Sequence, residues 1–107
     1  RAARAVAGGE ADRGILVCRS GIGMSIVANK VPGVRAALCT DAATAQGARR
    51  WNDANALALS LRLTSEATLA EILDAWFATG PSTSDDDAAN IAHVGQMESS
   101  AGIPARP

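Results

Sequence analysis

The segment Gly14-Ile15-Leu16-Val17-Cys18-Arg19-Ser20-Gly21-Ile22-Gly23-Met24 joins a continuous apolar run to a glycine-rich turn. Ile15 to Cys18 has no polar alternation, which suits a short strand buried on both faces, as in a parallel sheet. Arg19 to Gly23 then forms a turn, and Met24 to Lys30 continues as a helix that Pro32-Gly33 ends. The same rhythm extends in both directions. Upstream, residues 2–8 read as the end of a helix stopped by Gly8-Gly9. Downstream, Val34 to Cys39 is a second strand and Thr40-Asp41 caps a helix over 42–50. Residues 51–55 form a polar loop, and Ala56 to Leu61 is a third strand buried on both faces. Thr64 and Ser65 are cap candidates for a helix whose apolar stripe is Leu69, Ile72, Leu73, Trp76 and Phe77. After a Gly-Pro-Ser-Thr-Ser linker, Asp85-Asp86-Asp87 opens a last helix reaching Met97, where acidic residues suit the positive end of the dipole. Residues 98–107 lack periodicity and read as a flexible tail. The predicted order is α-β-α-β-α-β-α-α, which makes a parallel sheet through crossover connections.

Composition supports one small α/β domain over residues 1–97. The chain has 107 residues, 48% hydrophobic, with one Phe, two Trp and no Tyr. Its apolar content is largely Ala, which favours slim helices packed closely on a sheet. A formal charge of −1 leaves no electrostatic footprint for nucleic acid. No apolar run approaches the ~20 residues that span a bilayer. Cys18 and Cys39 make no disulfide framework, and with His93 as the one histidine they cannot supply a four-ligand Cys/His zinc site.

Ligands of parallel α/β sheets bind beyond the carboxyl ends of the strands. That rule gathers residues 19–23, Thr40-Asp41 and Leu61-Arg62 on one rim, and puts the 51–55 loop on the opposite edge. Cys18 stands where a strand gives way to a glycine-rich helix start. Free N–H groups there hold anions and lower a thiol pKa, which suits a base or nucleophile. The competing reading is a buried strand residue. Cys39 lacks the glycine-rich sequel and reads as structural. Gly21-Ile22-Gly23 fails as a dinucleotide fingerprint because Ile26 takes the third glycine position. His93 reads as structural or surface, and Asp85 to Asp87 as a solvated cap.

The run from Gly14 to Cys39, followed by Ala48-Arg49-Arg50-Trp51-Asn52-Asp53-Ala54-Asn55, resembles the ribose-5-phosphate isomerase B family, which includes galactose-6-phosphate isomerase subunits. The resemblance covers residues 1 to about 79. It implies a Rossmann-like three-layer αβα sandwich, with five parallel strands in the family and about three here. It also implies a cytoplasmic homodimer or homotetramer with sites at subunit interfaces. The implied reaction is aldose–ketose isomerisation of a phosphorylated sugar, without metal or other cofactor. By resemblance Cys18 is the base that moves a proton between C1 and C2 through an enediolate. Ser20 keeps a hydroxyl that polarises the substrate oxygen, while Arg19, Gly21, Ile22 and Gly23 form the loop whose N–H groups hold the oxyanion. Asn52 matches a substrate-contacting asparagine, and Arg62 an arginine near the sugar phosphate. On this point the resemblance brings the 51–55 loop to the site, against the edge argument.

The departures are specific. Arg19-Ser20 replaces the usual Gly-Thr, and Arg19 either binds an acidic group or points to solvent. Trp51 occupies the position of the ring-opening histidine, yet an indole N–H cannot shuttle a proton at neutral pH. The family's C-terminal arginines have no counterpart, and its first strands are absent, so the chain is expected to be part of a longer protein with a long sheet edge. Two alternatives follow: a non-catalytic sugar-phosphate-binding or partner subunit, and more remotely a phosphocarrier with Cys18 phosphorylated.

Overall fold

The computed structural model describes residues 1–100, and most of the tail expected over 98–107 lies outside the described residues. The helices are α1 (Ala2–Ala7), α2 (Ile22–Asn29), α3 (Ala42–Asn52), α4 (Glu66–Ala78) and α5 (Asp85–Ser100). The strands are β1 (Gly14–Cys18), β2 (Ala36–Leu38) and β3 (Ala56–Ser60). The expected alternation therefore holds. All pairings are parallel and the sheet order is β1-β3-β2. The last strand in sequence is thus the middle one in space.

That placement explains the sequence of β3. Ala56-Leu57-Ala58-Leu59-Ser60 is buried at every position, because strands flank it and helices cover both faces. Leu57 and Leu59 face a core completed by Cys39, Ala45, Ala48, Ile72 and Trp76. Ala56 joins Ala3, Leu16, Ala28 and Val34 in a second cluster beneath α1 and α2. Small residues on β3 let the helices come close, as the Ala-rich composition suggested. β1 is less protected. Leu16 is buried, but Ile15 and Val17 are 44% and 46% exposed. They pair in register with Leu57 and Leu59, so α4 covers the middle strand and leaves β1 open on the same face.

Several boundaries differ from the sequence expectation. Helix α2 starts at Ile22 rather than Met24, because Gly21 at φ 79° turns the chain in a single residue. Strand β2 keeps only Ala36 to Leu38. Val34 and Arg35 fall outside it, where Arg35 N–H donates to Asn55 Oδ1 at 2.7 Å instead of to a strand. The amide of Asn29 clamps Ala36 from both sides, at 3.0 and 2.8 Å. Helix α3 continues through Trp51 and Asn52, which the sequence placed in a loop. Phe77 is 61% exposed although it belonged to the predicted stripe. Ile72 and Trp76, one turn apart, take the centre of the contact, and Phe77 sits about 100° around the helix from Trp76. Helix α5 runs to Ser100, three residues past the expected Met97.

Candidate active site

The carboxyl end of β1 is shaped by Gly21. A Cβ there would collide with Leu38 Cδ1 and lie 3.1–3.2 Å from the carbonyl of Leu59. The positive φ and the close approach to β3 both demand glycine. With the chain folded this tightly, the Gly21 N–H donates to Cys18 Sγ at 3.1 Å. The Ile22 N–H donates to Ser20 Oγ at 3.2 Å, which ties the serine to the first turn of α2. The Met24 N–H lowers the Cys18 pKa most; desolvation opposes it, and the Gly21 and Ser20 N–H groups and the Ser20 hydroxyl each add to the lowering. The result is a half-exposed thiol held below its ordinary value of 9.0. Backbone N–H groups at a helix start favour the thiolate because its charge meets dipoles already in place.

The segment after β3 closes on the same rim. Leu61 N–H donates to the Cys18 carbonyl at 2.9 Å, and Arg62 N–H to the Arg19 carbonyl at 3.1 Å. The Ser60 hydroxyl donates to the Arg19 carbonyl at 2.8 Å and accepts from Leu63 N–H at 3.2 Å. Arg19, Leu61 and Arg62 line a cavity of about 320 Å³. The structure thus brings together Cys18, Arg19, Ser20, Gly21 and Arg62, with Ile22 and Gly23 in the first turn of α2.

Trp51 and Asn52 are elsewhere in the protomer. They end α3, which leads through Asp53 to Asn55 into the amino end of β3. Asn52 lines a second cavity, of about 330 Å³, with Arg35, Asn90 and Val94. Within one chain the edge rule therefore holds for this loop. The Trp51 ring lies over Gly47, whose missing side chain leaves room for it; a Cβ there would be 2.9 Å from the ring. Trp51 is 56% exposed, so one face rests on its own helix and the rest stays open.

A feature the sequence reading missed holds this end of α3. Arg49 is almost fully buried and passes over Trp76, 5.5 Å from the ring centroid. Its guanidinium donates to the Thr79 and Ala54 carbonyls and, at 3.0 Å, to Asp53 Oδ1. Arg35 grips the same residue, donating to the Asp53 carbonyl at 2.8 Å and to Oδ2 at 3.3 Å. Asp53 adopts φ 45°, rare for a side-chain-bearing residue, and two arginines keep it there. The Arg49–Asp53 spacing of four was the available signal.

An open α/β sheet with an amide-cradled thiol at its carboxyl edge belongs to the class that takes small ligands at that rim. The chain belongs to the ribose/galactose isomerase family, whose profile matches residues 1–94. It is 49% identical over 74 residues to ribose-5-phosphate isomerase B of Escherichia coli, covering 69% of this chain and 50% of that protein. It is 50% identical over 74 residues to D-erythrulose-4-phosphate isomerase of Pectobacterium atrosepticum, covering 69% and 49%. The type B ribose 5-phosphate isomerase structure of Trypanosoma brucei superposes with a TM-score of 0.87 at 53% identity, covering 90% of this chain and 64% of that one. The chain spans about half the length of the curated relatives it matches. Among the described residues, no helix is long and apolar enough to cross a membrane.

Proposed function

We propose that this chain carries the proton-transfer half of an aldose–ketose isomerase acting on a phosphorylated sugar. The observation that carries the proposal is the Cys18 thiol, lowered in pKa by the N–H groups around it and open to the rim. The Cys18 thiolate removes the proton from C2 of the open-chain aldose, forming S–H as the C2–H electron pair becomes the C1=C2 bond. The carbonyl oxygen at C1 takes the charge, held by the Ser20 hydroxyl and the start of α2. The thiol then delivers its proton to C1, and the hydroxyl proton at O2 passes to O1. No electrons leave the substrate.

Asn52 enters this reading from a second copy. It lies at the opposite sheet edge from Cys18 in its own protomer, so a site that uses both needs two chains, as a homodimer or homotetramer supplies. Ile22, Ile26 and Val27, all more than half exposed on α2, give such a partner an apolar face beside Cys18. Charged sugar phosphates and two free cysteines both suit the cytoplasm.

The test is incubation of the full-length protein with ribose 5-phosphate in deuterated buffer. Deuterium at C2 of the recovered aldose is expected. Absence of both isomerisation and exchange, across pentose and hexose phosphates, overturns the proposal. One observation favours a second reading, a non-catalytic partner subunit: Trp51 occupies the ring-opening position and packs on Gly47, and its indole cannot relay a proton. Turnover of acyclic but not cyclic substrates separates the first reading from the second.

A further inference from the structure

We propose that Arg35 is a positioning residue for Asn52: through Asp53 it fixes the end of α3 that presents the Asn52 amide to the sugar. The inference rests on the isomerase reading, in which Asn52 meets a substrate bound beside Cys18 of a second copy, and adds what holds Asn52 in place. Asn52 is the last residue of α3, and Asp53 after it turns the chain at φ 45°. Helix ends leave backbone groups unsatisfied and fray where nothing grips them. Here the polar groups that follow Asn52 are gripped one by one. The Asp53 carbonyl accepts from Arg35 Nε at 2.8 Å and its Oδ2 from Arg35 Nη2 at 3.3 Å. Its Oδ1 accepts from Arg49 Nη1 at 3.0 Å, and the Ala54 carbonyl accepts from Arg49 as well.

The two arginines are not equivalent. Arg49 stands four residues before Asp53 on the same helix, so it moves with the turn it grips. Arg35 comes from the sheet side, immediately before β2. Its own backbone is fixed by Asn55, whose Oδ1 accepts the Arg35 N–H at 2.7 Å and whose amide donates to the Gly33 carbonyl at 2.9 Å. Arg35 therefore ties the turn to the sheet. Asn52 is the exception in this network. Its side chain is exposed, and among the described residues its amide has no hydrogen-bond partner. It lines the cavity of about 330 Å³ together with Arg35. A free amide on a held turn has little freedom left to lose on binding, which is how preorganisation raises affinity. The Arg35–Asp53 pair is itself 28% and 33% exposed, and such pairs add little to stability. Its removal should show in substrate recognition more than in unfolding.

A double-mutant cycle in the full-length protein tests this. Asn52→Ala, Arg35→Gln and the double variant are compared by kcat and KM for isomerisation of ribose 5-phosphate. Calorimetry with the same sugar, in a Cys18→Ala background, repeats the cycle without turnover. Arg35→Gln is expected to lower kcat/KM and affinity about tenfold, split between KM and kcat as in Asn52→Ala, with Tm within about 5 °C of the parent. In the Asn52→Ala background the same change costs less than about twofold, because a residue that acts through Asn52 has nothing left to position. Asp53→Asn keeps a residue that tolerates the left-handed turn but removes the charge; it shifts the constants in the same direction and is likewise silent without Asn52. It carries the cycle if Arg35→Gln fails to fold. Arg4→Gln, an equal loss of charge on α1, leaves every constant unchanged. Parental kinetics and affinity in Arg35→Gln overturn the proposal and leave the isomerase standing, as does a loss that adds in full to that of Asn52→Ala. An Asn52→Ala protein that binds and isomerises like its parent overturns it too. Absence of turnover, with the cycle intact in calorimetry, sinks the isomerase and leaves the positioning role standing. A parent that neither binds nor isomerises the sugar overturns both.

Discussion

Cys18 ends β1 and Cys39 follows β2 by one residue, so both thiols lie at the carboxyl edge of one parallel sheet. Their surroundings push them apart. Cys18 receives the N–H groups of the α2 start and falls below its ordinary pKa. Cys39 is fully buried among Ala45, Leu57, Leu59 and Ile72, and desolvation, with the Asp41 charge behind it, raises it to about 11. The N–H groups that follow Cys39 are committed elsewhere. Asp41 caps α3 and takes the Thr44 N–H at 2.7 Å and the Thr44 hydroxyl at 2.6 Å. A strand end thus offers position, and only the turn after it decides whether a thiol meets free amides or a carboxylate.

Replacing each cysteine gives the largest contrast. Cys18→Ala should lower isomerase turnover by about 10²–10⁴-fold, the usual worth of a positioned base, with the fold intact. Cys39→Ala should leave turnover per folded molecule unchanged and cost about 1 kcal/mol in urea denaturation, through lost packing. Equal loss of turnover in both would erase the distinction. Next comes the turn itself. Gly21→Ala forces a side chain into positive φ and against Leu38 and Leu59, and should destabilise by about 2–4 kcal/mol. In the molecules that remain folded, the Cys18 thiol should drift back toward 9.0, read as a higher midpoint of alkylation against pH.

The smallest effect is the pH dependence of stability. The lowered Cys18 pKa contributes stability that is full above 9.0 and is lost as pH falls through the folded value. The raised Cys39 pKa works in the opposite sense. Its contribution is full below 9.0 and drains away as pH rises from there to about 11. Native-state alkylation should accordingly modify Cys18 alone below pH 9.0, with Cys39 reacting only on unfolding. Rapid labelling of Cys39 in the folded protein would contradict its burial.

Much of this was legible beforehand. The apolar runs at 15–18 and 56–61, the cap candidates Thr40-Asp41 and Thr64-Ser65, and the glycines after Cys18 each announce local structure through the backbone's own preferences. The half of the candidate site around Cys18 was legible for the same reason, since its parts are contiguous in sequence. The other half was harder. Trp51 and Asn52 read as loop because Asn52, Asp53 and Asn55 are polar, whereas α3 is prolonged by Arg35 and Arg49 gripping Asp53 from 18 and 4 residues away. Phe77 matched the helical period of its neighbours, but α4 meets the sheet along Ile72 and Trp76 and leaves it outside.

The sequence by itself determined the alternation of strands and helices, the parallel sheet and the thiol at a glycine-rich helix start, because these depend on local periodicity and on which residues tolerate a turn. Only the tertiary structure decided that β3 lies between β1 and β2. It alone set burial and the Asp41 charge against the Cys39 thiol, tied Arg62 N–H to the Arg19 carbonyl, and turned Arg35 and Arg49 onto Asp53. Those outcomes depend on contacts between residues distant in the chain, where burial and the donors that happen to face a group outweigh any preference written in its neighbours.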